Sequence, residues 1–161
     1  MVENNTNILT NMVENISNYA PWIGFFGTCI LFFFQNINLT YILIFIIGFF
    51  INSFINKFIK KIINDKRPVI HNKSNENRMP SGHTQSVFYT IMFLSTLLFN
   101  NIIKGIEVKI WICITILLGG LTSYNCIKGG YHTIDQVIVG IVLGNIIGYS
   151  FTLVNNRSII Y

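Results

Sequence analysis

The sequence predicts an all-α protein, a polytopic membrane helix bundle of about five transmembrane helices. Two observations carry this prediction. The chain of 161 residues is 52% hydrophobic and only 11% charged, and residues 17–56 contain no charged side chain. A soluble domain has no use for such a stretch, whereas each crossing of a bilayer needs about 20 mainly apolar residues. We therefore expect a multi-pass integral membrane protein.

The apolar segments give approximate bounds for the helices. Five spans are predicted, at about residues 19–35, 39–58, 84–103, 110–124 and 136–154. The fourth is short for a bilayer, so we expect this helix to extend into the residues on either side of it. Residues 1–17 are polar, with apolar side chains at near-helical spacing, which indicates an amphipathic segment at the interface or a disordered terminus. Residues 18–161 would then form a single transmembrane domain.

The number of helices decides which loops meet. With five spans, the loops at 59–83 and 125–132 lie on one side of the membrane, and the loop at 104–109 lies on the other side with the C-terminus. Residues far apart in the chain can therefore share one site. The sequence does not predict which of these two sides faces the cytoplasm. Basic loop residues favour the cytoplasmic side, but here they could instead serve the shared site. The endoplasmic reticulum and another internal or viral membrane are both candidate locations, and the oligomeric state is not predicted.

Charge and cysteine usage exclude several classes of function. The formal net charge is +5, but most basic residues fall between Lys57 and Arg78. Such a cluster in a membrane protein indicates topology, lipid headgroups or a phosphate site rather than nucleic acid. The three cysteines are scattered, without disulfide or metal spacing, and the few carboxylates lie mostly far apart. We expect no cofactor and no metal site, least of all a two-metal one.

Three short clusters could carry chemistry. The first is Lys60 followed, after six residues of any type, by Arg67-Pro68. The second, Pro80-Ser81-Gly82-His83, opens the third predicted span, and the third, "YNCIKGGYHTIDQ" at residues 124–136, opens the fifth. Helix starts present free backbone N–H groups and a positive dipole end, which suit a phosphate.

The side chains in these clusters fit phosphoryl transfer. Gly82 would let a phosphate approach the backbone closely, and Ser81 adds a hydroxyl donor. Lys60 and Arg67 supply positive charge for the transition state. Of two histidines at one site, one can attack phosphorus while the other protonates the departing oxygen.

The three clusters together resemble the type 2 phosphatidic acid phosphatase (PAP2) superfamily. K-x6-R-P, then P-S-G-H, then a histidine at the start of a later helix occur in that order over roughly residues 57–150. The pattern H-T-x-x-Q at residues 132–136 is most similar to the dolichyl, or polyprenyl, diphosphate phosphatase branch. The resemblance implies metal-independent hydrolysis of a lipid phosphate or diphosphate through a phosphohistidine, with a polyprenyl diphosphate favoured over phosphatidic acid.

The resemblance also implies a role for each matching residue. His132 would be the nucleophile and His83 the general acid, while Lys60, Arg67, Ser81 and Gly82 would hold the phosphate. Gln136 falls where the family has the group that orients the nucleophile, although Asp135 could do the same. Gln136 could also close a capping box with Thr133, because the two form an S/T-x-x-E/Q pattern.

One departure from the family pattern weakens this assignment. The family has Ser-Arg six positions before the nucleophile, where this chain has Asn125-Cys126. Lys128 could reach the position that the arginine would occupy. Its ammonium is a point charge, however, whereas a planar guanidinium can donate to two oxygens at once. The alternative function is therefore a catalytically impaired membrane protein with a lipid-binding or structural role.

A glycine row bears on the orientation of the site. Gly140, Gly144 and Gly148 repeat every fourth residue along the fifth span, a spacing that favours close helix packing. His132 and Gln136 continue the same row, so we expect them to face the inside of the bundle.

Overall fold

Five α-helices follow one another along the chain in the computed structural model. The structure describes residues 2–63 and 79–158, with side chains placed from residue 11 to residue 154 within these ranges. The helices are α1 (Val2–Phe34), α2 (Leu39–Ile63), α3 (Gly82–Phe99), α4 (Ile106–Lys128) and α5 (Ile134–Ser158). Secondary structure in the two described ranges is entirely helical. The prediction of an all-α bundle is confirmed.

Four of these helices are long and apolar enough to cross a bilayer, as a multi-pass membrane protein requires. Their candidate spans are Asn11–Phe34, Leu39–Ile63, Ile106–Lys128 and Ile134–Val154. α3 is the exception, because its first half is polar. α3 contacts all four other helices, so Thr84, Gln85 and Thr90 are buried against protein rather than lipid. The third predicted span is therefore the central helix of the bundle.

Several helix ends differ from their predicted positions. α2 continues to Ile63, which places Lys60 on its last turn instead of in a loop. α4 gains residues at both ends relative to 110–124, as its short predicted length suggested, and α3 stops at Phe99 rather than near residue 103. α1 is continuous from Val2, so the predicted N-terminal segment runs directly into the first span.

α5 packs against α3 through its glycine row. A Cβ atom at Gly140 would lie 2.8 Å from the backbone oxygen of Ser81, and one at Gly148 would lie 2.6 Å from that of Tyr89. A Cβ atom at Gly144 would clash with the backbone oxygen of Gln85. The predicted close packing is confirmed, and it brings the first turn of α3 directly against the first turns of α5.

Aromatic side chains fill the part of the bundle farther from those helix starts. Phe45 of α2 lies at their centre, with ring centroids 5.7 Å from Tyr89 and 5.2 Å from Phe93. The Tyr89 hydroxyl donates a hydrogen bond of 2.9 Å to the backbone oxygen of Phe45. This pairing satisfies the one polar atom of a ring that is otherwise buried in an apolar core.

The glycine row gives a direct test of the fold. Gly144→Ala should lower the free energy of unfolding by about 1–3 kcal/mol, because backbone atoms of α3 cannot move aside as a flexible side chain can. Gly120→Ala on α4 is the matched control, since nothing lies within 4 Å of its added Cβ; it should be neutral or stabilise by up to about 1 kcal/mol. Thermal unfolding of both variants in one detergent measures the difference. Equal melting temperatures would contradict the packing described here.

Candidate active site

His83 and His132 line one cavity, although they are 49 positions apart in the sequence (132 minus 83). The cavity has a volume of about 350 Å³ and opens where α3 and α5 begin and α2 and α4 end. Its lining residues are Glu14, Ser17, Asn18, His83, Asn125, Cys126, Tyr131 and His132. The structure thus brings the two predicted histidines to the same end of the bundle.

A tight turn between α4 and α5 carries His132. Gly130 adopts a φ of 65°, a left-handed conformation that glycine takes without a steric cost. The backbone N–H groups of Tyr131 and His132 both donate to the carbonyl oxygen of Cys126, over 3.1 and 3.0 Å. Backbone hydrogen bonds to the end of α4 therefore fix the chain on which the His132 ring is mounted.

Gln136 orients the His132 ring. Its Oε1 atom accepts a hydrogen bond of 3.1 Å from the backbone N–H of Thr133 and lies 3.2 Å from Nδ1 of His132. Because the Thr133 N–H can only donate, the amide atom facing it must be the oxygen. That same oxygen can only accept from Nδ1, so Nδ1 carries a proton. The lone pair of a neutral imidazole is then on Nε2.

Gln136 thus makes both contacts that were considered for it, one to the His132 ring and one within a capping box. The reciprocal bond of a capping box is also present, since the Gln136 N–H donates to Thr133 Oγ1 over 3.4 Å. Gln136 is 2% exposed, whereas Asp135 is exposed on the surface of α5. The hydrogen bond to His132 comes from the buried amide and not from the neighbouring carboxylate.

His83 lies on the first turn of α3, with its ring at the opening of the cavity. Partial burial of the imidazole lowers the pKa of His83, and the positive charge of Lys60 lowers it further. Lys60 is half-buried on the last turn of α2. These two predicted residues therefore interact electrostatically, while Arg67 lies outside the described residues.

Ser81 contacts residues of three helices at the start of α3. It is fully buried, its N–H donates to the backbone oxygen of Gln136 over 3.1 Å, and its hydroxyl donates to Thr84 Oγ1 over 3.0 Å. Its Oγ also lies 3.9 Å from the sulfur of Cys126. The hydroxyl predicted to contact phosphate thus lies between α3 and α4, while the backbone N–H of Ser81 makes the contact with α5.

Gly82 and a group of buried amides hold α2 close to the start of α3. A Cβ atom at Gly82 would lie 3.2 Å from Oδ1 of Asn56. The Asn56 amide donates to the Pro80 carbonyl over 3.3 Å and to Gln85 Oε1 over 2.7 Å. Gln85 in turn donates to Oδ1 of Asn52 over 2.8 Å. These amides went unpredicted, although two asparagines one helical turn apart in an apolar span are a usable signal.

A small buried side chain, Cys126, lies at the position where the family resemblance implies an arginine. Cys126 is 8% exposed and lines the cavity beside Asn125. Lys128 is exposed, its Nζ lies 5.5 Å from the centre of the Tyr124 ring, and it is not among the described lining residues. In this arrangement Lys128 covers an aromatic face rather than filling the vacated position.

Sequence reasoning missed the contribution of α1. Glu14, Ser17 and Asn18 line the cavity, and the Tyr131 hydroxyl donates a hydrogen bond of 2.6 Å to Oε1 of Glu14. This bond to a carboxylate raises the pKa of Tyr131. No local pattern links residues 117 positions apart. Within the described residues, no group of three His, Cys, Asp or Glu side chains could hold a metal ion.

Comparison with known proteins agrees with this arrangement of helices. The sequence profile described as "PAP2 superfamily" matches residues 39–160, and the chain belongs to this superfamily. Membership supports phosphatase activity on lipid phosphates in general. The match begins at α2, so the α1 side of the cavity lies outside it.

The fold is also similar to a solved structure. The crystal structure of Aquifex aeolicus LpxE matches with a TM-score of 0.67 and 20% sequence identity, covering 90% of this chain and 86% of that chain. At this identity the likeness shows the fold alone. Among curated protein sequences, no relative matches significantly.

The electrostatic interaction between Lys60 and His83 predicts a measurable shift in the pKa of His83. Lys60→Gln should raise the pKa of His83, because it removes a positive charge that disfavours the imidazolium. Titration of histidine side-chain resonances by NMR, assigned with His83→Gln, measures the change. Lys57→Gln, an exposed lysine on the same helix, is the matched control and should leave the pKa of His83 in place. A His83 pKa that moves equally in both variants would mean that Lys60 has no specific effect.

Proposed function

We propose that this protein is a metal-independent lipid phosphatase that works through a phosphohistidine at His132. The observation that supports this proposal most directly is one cavity lined by two histidines, in which Gln136 holds the proton of His132 on Nδ1. An imidazole in that tautomer presents a lone pair on Nε2, as a nucleophile requires. The cavity lies near the ends of the spans, where the phosphate of a membrane lipid is already concentrated.

The proposed reaction has two steps. In the first, Nε2 of His132 forms a bond to phosphorus as the bond to the leaving oxygen breaks, and His83 gives that oxygen a proton. In the second, His83 takes a proton from water, the water oxygen attacks phosphorus, and the bond to His132 breaks to release phosphate. A lowered pKa favours the neutral imidazole of His83, which suits it to take the proton from water in the second step.

Positive charge and backbone groups would hold the phosphate during both steps. Lys60 is near enough to act on His83 electrostatically, and Arg67 would provide a planar fork for two oxygens. The start of α3 at Gly82 adds backbone N–H groups and the positive end of its dipole. Ser81 would contribute indirectly, because its hydroxyl is engaged by Thr84.

A polyprenyl diphosphate such as dolichyl diphosphate is the substrate that we favour, with phosphatidic acid second. The preference rests on the H-T-x-x-Q pattern of residues 132–136. In the structure these side chains act together, since Gln136 contacts both the His132 ring and the Thr133 backbone.

The proposed activity is tested with purified protein and two lipid substrates. Phosphate release from dolichyl diphosphate or phosphatidic acid should persist in chelator, and His132→Ala should reduce it by on the order of 10³-fold or more, because the nucleophile is lost. Glu107→Gln at the other end of the bundle is a neutral control. Acid-labile labelling by substrate phosphate that requires His132 would identify the intermediate. Binding of both lipids without any release would favour the structural role instead.

The replaced arginine provides a second, independent test. Cys126→Arg should raise kcat/KM by about tenfold, because a charged hydrogen bond to phosphate is worth about 1.5–3 kcal/mol, less the cost of burying the new side chain. Cys126→Met, which adds bulk without charge, is the matched control and should not activate. A silent Cys126→Arg together with a damaging Lys128→Ala would mean that Lys128 has taken over the phosphate contact.

A further inference from the structure

The Tyr131 hydroxyl joins the loop before α5 to α1, the helix that precedes the superfamily match. It donates to Oε1 of Glu14 over 2.6 Å, and both residues line the cavity. Hydrogen bonds from a hydroxyl to a carboxylate are about 2.5–2.7 Å long and roughly twice as strong as those between neutral groups. Because Tyr131 directly precedes His132, this bond acts beside the proposed nucleophile.

The loop that carries His132 is also attached to α4 and α5. Its backbone N–H groups donate to carbonyl oxygens at the end of α4, and the Gln136 side chain holds it from α5. Two successive glycines, Gly129 and Gly130, give this loop more backbone freedom than other residues would. The bond to Glu14 adds an attachment to a third helix.

The contact between His132 and Gln136 depends on the exact position of this loop. Nδ1 of His132 lies 3.2 Å from Oε1 of Gln136, at the upper end of the range for a hydrogen bond. A displacement of about 0.5 Å away from Gln136 would leave no bond between them. The proton would then no longer be confined to Nδ1, and the lone pair would no longer be confined to Nε2.

The Tyr131 side chain is well placed to prevent such a displacement. A Cβ atom at Gly129 would lie 2.5 Å from Cε2 of Tyr131, so the ring packs directly against the loop backbone. The bond to Glu14 raises the pKa of Tyr131, which keeps the hydroxyl protonated as a donor. α1 is itself fixed to α4, since Trp111 Nε1 donates to Thr28 Oγ1 over 3.1 Å. The attachment of α1 therefore does not depend on Glu14 alone.

We infer that Glu14 is a positioning residue, which acts through Tyr131 to keep the His132 ring in hydrogen-bond contact with Gln136. The inference goes beyond the proposed function and rests on it only for the effect on catalysis, because the state of the His132 ring can be measured without turnover. It also assigns part of the site to α1, outside the residues that match the superfamily.

Nitrogen-15 NMR of labelled histidine tests the inference directly, because it reports which nitrogen of a neutral ring carries the proton. In the unchanged protein, His132 should carry it on Nδ1, and His132→Ala assigns the signal. Tyr131→Phe and Glu14→Ala should each give a mixture of the two tautomers, because each removes the bond to α1. Glu14→Gln keeps an acceptor for the Tyr131 hydroxyl and should largely preserve the Nδ1–H form.

Hydrolysis measures the consequence for catalysis. Tyr131→Phe and Glu14→Ala should each lower kcat on the order of tenfold and leave KM nearly unchanged, because the nucleophile is misplaced while phosphate binding is retained. The double variant should be no slower than either single variant, since all three lack the same bond. Glu107→Ala is the matched control. It removes a bond of the same length, 2.6 Å, from Gln35 to Glu107 at the other end of the bundle, and should change neither the His132 tautomer nor kcat.

The remaining outcomes separate this inference from the proposed function. An unchanged His132 tautomer in both single variants would overturn the inference. So would losses of kcat that multiply in the double variant, or a lower melting temperature with tautomer and kcat unchanged, which would mean that the bond only stabilises the fold. A tautomer shift in a protein that releases no phosphate would support the positioning role and count against the phosphatase. Hydrolysis that requires His132 but does not depend on Glu14 would do the reverse.

Discussion

The close contact between the backbones of α3 and α5 is the constraint on which the site depends. α5 can approach the backbone oxygens of Ser81, Gln85 and Tyr89 only because glycines face them. At the end of this contact, the Ser81 N–H donates to the backbone oxygen of Gln136. The side chain of Gln136 meanwhile holds His132. Gln136 therefore links the segment that carries His83 to the segment that carries His132.

Hydrogen bonds between polar side chains, rather than apolar contacts, join α2 to the first turns of α3. Asn52 and Asn56 of α2 and Gln85 of α3 pair their amides at a depth where water is scarce, and an unpaired amide there would cost several kcal/mol. The same network sets the distance between the Lys60 end of α2 and the Gly82 turn. Structural stability and the electrostatics of the site thus depend on the same amides.

Much of this arrangement could be predicted from the sequence, because its causes are local or periodic. Apolar run lengths gave the five helices, their number put His83 and His132 at one end, and the four-residue glycine period identified the packing face of α5. The Thr133–Gln136 pattern anticipated the capping box. Each of these inferences needs only a short window of sequence and the geometry of a helix.

The remaining features depend on contacts that no short window contains. The hydrogen bond between Glu14 and Tyr131 joins distant parts of the chain, so the contribution of α1 to the cavity could not be predicted from the sequence. The burial of Ser81 follows from the position of α5, and the placement of Lys60 on α2 follows from helix ends, which sequence patterns define poorly. In each case tertiary packing, rather than local preference, decides the outcome.

The loop that carries His132 is shaped by main-chain atoms. Two successive N–H groups bond to the carbonyl oxygen of Cys126, an atom that every amino acid possesses. The conformation of this loop therefore does not depend on which side chain is present at position 126. A substitution at position 126 would therefore change the chemistry of the cavity wall while leaving both main-chain hydrogen bonds to the His132 loop in place.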